Sequence, residues 1–282
     1  MEAQKIQFES ISAVFRALGD AKPAKGAGNQ SRTSGGKDWC DWSYDEICAR
    51  GRAGGSFPEF NSAESLPVVP SDKLPLTIGD DWAEVEGLTG GYVDLDAFFE
   101  GDPECMMMEQ ELPVEGKALR FGISAGGSCL VQAAAFKNRA RVLAAYIEQL
   151  ELRGISCEIW IVMCVGDAPK FTARNMRASM AICAKQAGET LRPEVIGFIL
   201  DPSFFRRVFM KFMETRGDLN DLTQEGYGYP QCGEKARASI FSSIAPMVDH
   251  WIPEIDSRGA EYATVEKTID KLAPIFNRDW TV

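Results

Sequence analysis

The chain of 282 residues is long enough for one large domain or two ordinary ones, and its 45% hydrophobic and 25% charged residues are typical of a globular protein. No apolar stretch approaches the roughly 20 residues of a membrane-spanning helix, and the first residues do not resemble a secretory signal. The sequence therefore predicts a protein that neither crosses a membrane nor is secreted. Its net charge of -11 argues against a general phosphate-binding protein.

The charges are divided unevenly along the chain. Residues 38–116 contain three basic and 19 acidic residues, a net charge of -16, whereas residues 117–216 contain 15 basic and eight acidic residues, a net charge of +7. One interpretation is an acidic module that packs beside a basic one. The other is that the basic region faces an acidic protein, a nucleic acid or the acidic module of a second copy.

The eight cysteines form no CxxC motif, and His250 is the single histidine, so the spacing of a zinc site is missing. We expect neither a metal nor another cofactor. Four cysteines lie in apolar runs, where free thiols are usually buried: Cys129, Cys157, Cys164 and Cys183. This pattern predicts a protein of the reducing cytoplasm.

The first 116 residues predict short helices separated by irregular chain. We expect an N-terminal helix with a flexible linker over 1–37 and an acidic module rich in proline and glycine over 38–116. The expected elements are a helix over Ile6–Leu18, a linker over Gly19–Lys37, a helix that the capping box Ser43–Glu46 opens and that ends near Gly51, irregular chain over Gly54–Pro75, and a helical turn over Asp94–Phe99.

From Lys117 the pattern alternates between strand and helix. The expected elements are a strand over Ala118–Ile123, a helix ending at Gly154, a strand over Ile155–Val165, a helix over Ala173–Ala187, a strand over Val195–Leu200, a helix that Asp201-Pro202 begins, and a last helix over Tyr262–Leu272. Such alternation predicts an α/β domain over 117–282, with a mostly parallel sheet and helices on both faces, of the von Willebrand A-like or Rossmann-like kind. Ligand sites in such sheets lie beyond the carboxyl ends of the strands.

The loop Gly122–Ser128 has the G-x-S-x-G form of a nucleophile elbow. Ser124, Asp201 and His250 follow one another in the order of a hydrolase triad. Against this hypothesis, the segment before Ala118 is acidic, rich in proline and poor in strand pattern. No HGG-type oxyanion segment is present, and Asp201 is also explained as a helix cap.

Two binding hypotheses concern the same loop, namely Ser124, Gly126, Gly127 and Ser128. Backbone amides at the start of a helix could hold a phosphate, but a Walker lysine and the full G-x-G-x-x-G spacing are missing. The loop also aligns with the metal-binding D-x-S-x-S motif of von Willebrand A domains, with Ser124 in place of the aspartate and Gly126 in place of the first serine. Without the carboxylate a hard cation loses its main ligand. The loop could equally be only a turn between strand and helix.

Several segments together resemble an uncharacterised family of phage and bacterial proteins, classed as a domain of unknown function. The most specific is Gly101–Met106, and the others are Phe8–Ile11, Ser43–Glu46 with Gly51, Asp94–Glu100, Asn138-Arg139, Leu150-Glu151 with Gly154, and Asp201-Pro202 with Arg206-Arg207. The resemblance implies a degenerate von Willebrand A-like middle and a viral or mobile-element origin. It implies no catalytic residues.

These observations favour a non-enzymatic, phage-type protein that acts through protein contacts, in assembly or in the host cell, as a homo-oligomer or with another protein. The expected location is the cytoplasm or the virion. The contact surface would combine the glycine loop with a basic face: Lys137, Arg139, Arg141, Arg206 and Arg207. The alternatives are a serine hydrolase and a nucleic-acid-associated protein that binds through residues 117–216.

Overall fold

The computed structural model describes residues 4–33, 42–55, 66–74, 82–87, 92–100, 106–111, 118–127, 130–166, 177–224, 229–230, 248–255 and 259–276. Its strands are β1 (Gln4–Phe8), β2 (Trp82–Gly87), β3 (Tyr92–Val93), β4 (Met106–Glu111), β5 (Leu119–Ser124), β6 (Cys157–Gly166), β7 (Arg177–Lys185), β8 (Tyr229–Pro230) and β9 (His250–Ile252). Its α-helices are α1 (Ile11–Leu18), α2 (Gln30–Thr33), α3 (Tyr44–Arg52), α4 (Leu95–Glu100), α5 (Ala133–Leu152), α6 (Pro193–Leu200), α7 (Pro202–Phe204), α8 (Met210–Glu214), α9 (Asn220–Gln224) and α10 (Val265–Phe276).

The larger sheet has the strand order β1-β7-β6-β5-β9, with β8 paired to the end of β6. Strands β5, β6 and β9 run parallel, β7 runs antiparallel to β6, and β1 runs parallel to β7. Helices surround this sheet, so the predicted α/β class with a mostly parallel sheet is confirmed. None of the described helices combines the length and the apolar character that crossing a membrane requires.

Alternate side chains of the central strands serve two different faces, as the period of a β-strand requires. On one face Phe121 and Ile161 enter the main core, which they share with residues of α1, α5, α6 and α10. On the other face Trp160 and Val162 are buried with Trp251. Burial of β6 on both faces explains why its sequence is a nearly continuous apolar run.

Local helix signals in the sequence are confirmed. Ser43 and Glu46 form both hydrogen bonds of a capping box at the start of α3. Asp201 caps the helix that begins at Pro202, and its Oδ1 accepts the Ser203 amide at 2.7 Å. Gly154 follows α5 with a left-handed φ of +84°, as expected for a helix end.

Two predicted elements are wrong in type. The segment expected as a helix over Ala173–Ala187 contains strand β7, and the segment expected as a strand over Val195–Leu200 lies in helix α6. Ala178 to Cys183 of β7 are buried on both faces of the sheet, and Val195 to Leu200 of α6 are buried throughout. A fully buried apolar run carries no reliable period, so strand and helix cannot be distinguished from it. Pro193, in the first turn of α6, is the residue that indicates the start of a helix here.

The N-terminal half contains more strand than expected. Strand β1 occupies the start of the predicted first helix, and β2, β4 and β3 form a separate antiparallel sheet within the segment expected to be irregular. The predicted helical turn near residue 95 is confirmed as α4. The division into 1–37, 38–116 and 117–282 stays a prediction.

The described part of the predicted linker, residues 19–33, makes hydrogen bonds to α8. The Ala24 amide donates to the Glu214 carbonyl oxygen at 2.7 Å, and the Ser31 amide donates to the Glu214 carboxylate at 2.8 Å. Ser31 is fully buried. These hydrogen bonds therefore hold residues 19–33 against α8.

Candidate functional site

The glycine loop after β5 lies at the carboxyl edge of the large sheet, where β9 also ends. The Gly126 carbonyl oxygen accepts the Ile255 amide at 3.3 Å, and Gly127 forms an isolated parallel bridge to Ile255. A Cβ on Gly127 would lie 2.5 Å from the Phe136 ring, so only glycine allows α5 to pack this closely. Packing therefore explains one of the two glycines, and Ser128 lies outside the described residues.

A buried arginine lies directly beneath this loop. Arg139 of α5 is 1% exposed and donates hydrogen bonds to the carbonyl oxygens of Ser124 at 2.6 Å and Pro253 at 2.5 Å, with a longer contact of 3.5 Å to that of Ile252. Its guanidinium lies 6.0 Å from the centre of the Tyr262 ring. Arg139 thus connects the end of β5 to the end of β9.

Burial sets the electrostatics of this site. Desolvation lowers the pKa of Arg139, and the neighbouring Tyr262 and Glu254 oppose that shift. Glu254 is itself buried. The fixed cation and the buried carboxylate make the rim a rigid polar junction that closes the sheet edge.

Arg139 was predicted to belong to an exposed basic face, which its burial contradicts. The sequence contains a signal for this burial: Phe136, Leu143 and Tyr146 lie three residues before, four after and seven after Arg139, and all three are buried. Arg139 therefore lies on the apolar stripe of α5 and not on its solvent face.

The remaining members of the predicted basic face do not form one exposed surface. Lys137, Arg141 and Arg206 are half-buried. Arg207 is buried and donates to the carbonyl oxygens of Trp42 and Ser31, both at 3.1 Å, so it holds the N-terminal segment.

The structure does not bring the proposed triad together. Ser124 is the last residue of β5, whereas His250 of β9 pairs with Phe121, which lies three residues before Ser124. The centres of the His250 and Phe121 rings are 5.6 Å apart. Three residues of strand span about 10 Å, and residues separated by three point to opposite faces. Asp201 is occupied as a helix cap. A proton transfer from Ser124 to His250 requires about 3 Å between them.

The phosphate hypothesis also lacks its expected geometry. The first turn of α5 begins at Ala133, six residues beyond Gly127, and no side chain caps this helix. Within the described ranges, no three His, Cys, Asp or Glu side chains gather where they could hold a metal ion.

The cysteines predicted to be buried are buried wherever the structure describes them. Cys157, Cys164 and Cys183 are buried thiols that form no disulfide with the described residues, and Cys129 lies outside the described residues. Desolvation raises the pKa of Cys157 and that of Cys183 to about 12 each. Such thiols are poor nucleophiles.

Sequence reasoning missed a crevice between α1, α3 and α8, here named the Lys211 crevice. Phe15, Leu18, Gly19, Tyr44, Cys48, Val208 and Lys211 line it. Lys211 is 1% exposed, and its Nζ has no hydrogen-bond partner among the residues that the structure describes. This nitrogen lies 5.9 Å from the centre of the Tyr44 ring. Burial lowers the pKa of Lys211, opposed by the charge of Glu214. A lysine within the apolar run Val208–Met213 was the signal.

A second missed feature is a group of exposed apolar side chains on β3 and α4, here named the β3–α4 surface. The exposed fractions are 43% for Tyr92, 40% for Val93, 62% for Leu95, 56% for Phe98 and 80% for Phe99. The rings of Phe98 and Phe99 contact each other edge to face, with centroids 5.8 Å apart. At the roughly 200 Å² of an aromatic side chain, these two residues alone expose about 270 Å².

The fold and this set of sites define an α/β protein without an assembled catalytic triad among its described residues. The chain belongs to a family described as a domain of unknown function, DUF7192, whose model matches residues 2–273. No curated protein and no solved structure matches it.

Proposed function

We propose that this chain is a non-catalytic binding protein that acts by contacting another protein through its β3–α4 surface. The single observation that carries the proposal is the exposure of Leu95, Phe98 and Phe99 on one short helix. Soluble proteins rarely leave such large side chains adjacent and exposed unless a partner covers them. Aromatic residues are also the usual energetic centre of protein interfaces.

The structure of the sheet supports the same location. Within the described part of the chain, β3 is the edge strand of the small sheet and pairs only with β4. A partner at this position could cover the apolar side chains beside this strand.

The resemblance seen in the sequence adds a context to this proposal. The protein would be phage-type and would act in assembly or in the host cytoplasm, with a degenerate von Willebrand A-like middle that serves as a scaffold. The central β5, its loop at the sheet edge and α5 support such a unit. The buried Arg139 supports a scaffold role, because its positive charge beneath the loop would disfavour a bound cation.

The proposal is tested by recovering partners from native cells with wild-type protein and with the variant Phe98→Ser/Phe99→Ser. We expect at least one protein to be recovered with the wild type, and we expect its recovered amount to fall more than tenfold with the variant. Leu152→Ser is the matched control, because Leu152 is 73% exposed at the end of α5, outside this surface, and its replacement should change nothing. Equal recovery with all three proteins would refute the proposal.

The hydrolase alternative has a separate test. A fluorophosphonate probe should leave Ser124 unlabelled in the folded protein, since no imidazole lies near its hydroxyl. Labelling of Ser124 that disappears in His250→Ala would overturn the non-catalytic assignment.

A further inference from the structure

The partner of the β3–α4 surface is restricted by charge. Residues 92–104 contain five acidic residues and no basic residue, within the segment 38–116 of net charge -16. On α4 itself Glu100 is exposed beside Phe99. A partner must therefore match both the exposed apolar side chains and an acidic segment of the chain.

A second copy of this chain is a poor complement. Two copies of net charge -11 repel each other at a distance. The main basic region of the sequence, residues 117–216, could compensate in part, yet six of its 15 basic residues are used within the chain. Buried positions hold Arg139, Lys185, Arg207 and Lys211, and ion pairs within the chain hold Lys185 to Glu151, Arg192 to Glu194 and Arg216 to Asp218.

We propose that the β3–α4 surface binds a basic, amphipathic segment of a different protein. Such a segment would place apolar side chains on Leu95, Phe98 and Phe99 and would pair lysine or arginine side chains with the carboxylates of this acidic segment, that of Glu100 among them. This inference rests on the proposed function and adds the chemistry of the partner. An acidic surface repels nucleic acid and anionic lipid, and it accelerates encounter with a positively charged protein segment.

The probes are two synthetic peptides of about 20 residues with identical apolar positions at helical spacing, one with lysine and arginine and the other with glutamate at its polar positions. Their binding to the full chain is measured by fluorescence anisotropy at about 0.05 M and about 0.5 M salt. We expect the basic peptide to bind at least tenfold more tightly than the acidic one. We also expect its affinity to fall severalfold at high salt, because the Debye length shortens.

Two variants connect the binding to the surface. Phe98→Ser/Phe99→Ser should lower the affinity for the basic peptide at least tenfold, whereas Leu152→Ser should leave this affinity unchanged. Equal weakening by both, or equal affinity for the two peptides, would refute the inference. A dimer in light scattering that Phe98→Ser/Phe99→Ser abolishes would also refute it, since the partner would then be a second copy.

The outcomes separate this inference from the proposed function. If neither peptide binds but a cellular protein still depends on Phe98 and Phe99 for recovery, the surface is an interface and its partner is not basic. If no cellular protein depends on them and neither peptide binds, both ideas fail. Preferential binding of anionic lipid vesicles over the basic peptide would assign the surface to a membrane and overturn both.

Discussion

Replacing Arg139 by methionine would remove the guanidinium that connects two strand ends while keeping most of the side-chain volume. The guanidinium donates to the carbonyl oxygens of Ser124 at 2.6 Å and Pro253 at 2.5 Å. Both bonds come from a charged donor, which makes them stronger than hydrogen bonds between neutral groups. The variant would leave the buried Ser124 carbonyl oxygen and the partly buried Pro253 carbonyl oxygen without this donor.

The expected cost follows from these contacts. A hydrogen bond to a charged group contributes about 1.5–3 kcal/mol, so two contribute about 3–6 kcal/mol. Methionine also removes the cost of desolvating a buried cation, which offsets part of the loss of the two hydrogen bonds. We therefore expect the free energy of unfolding to fall by about 3–4 kcal/mol. Urea unfolding followed by tryptophan fluorescence and far-UV circular dichroism measures this loss.

A second measurement tests the mechanism and not only the stability. The Ile255 amide, which donates to Gly126 at 3.3 Å, should exchange its hydrogen faster in Arg139→Met, because the rim is no longer fixed. Lys267→Met is the control: Lys267 is exposed on α10, and its replacement should change stability by less than about 0.5 kcal/mol. A loss below about 1 kcal/mol in Arg139→Met, or unchanged exchange at Ile255, would refute the reasoning.

Three further predictions concern other parts of the fold. Gly51→Ala should cost about 3 kcal/mol in urea unfolding, since its Cβ would lie 1.9 Å from the Phe15 ring, and a change below about 0.5 kcal/mol would show that α1 and α3 can separate. Lys211→Met should raise stability at pH 7 by about 1–2 kcal/mol. Because the pKa of Lys211 is lowered in the folded state, the unfolded chain binds more protons than the folded chain at pH values between that pKa and about 10.4. The wild type therefore gains stability as the pH rises through this range, and the stability advantage of Lys211→Met shrinks. A stability difference that stays constant with pH would contradict this. Cys157, whose pKa burial raises to about 12, should resist a thiol reagent at pH 8 in folded protein and react in urea, and fast labelling without urea would contradict its burial.

The features that sequence reasoning predicted well are those set by neighbours along the chain. The capping box at Ser43, the helix start at Pro202 and the left-handed Gly154 each depend on residues within one helical turn. Their hydrogen bonds form whatever the rest of the fold does, so the sequence is sufficient to locate them.

The features that sequence reasoning missed depend on burial by distant segments. Ala178 to Cys183 of β7 and Val195 to Leu200 of α6 are buried throughout, and such burial removes the polar positions from which a period is read. Arg139 was assigned to a solvent face because charged helix residues are usually exposed. Its burial depends on carbonyl oxygens at the ends of β5 and β9, which only the tertiary structure brings near it.

The sequence predicts a binding site at the sheet edge, whereas the structure favours the β3–α4 surface, and the difference again depends on burial. At the edge, Arg139 fixes the Ser124 and Pro253 carbonyl oxygens, and a loop held by such bonds has little freedom to adapt to a partner. In contrast, the exposure of Phe98 and Phe99 costs free energy that no described contact of the fold recovers. A partner that buries the two rings would recover this free energy, and this is the physical reason for proposing the interface at α4 and not at the sheet edge.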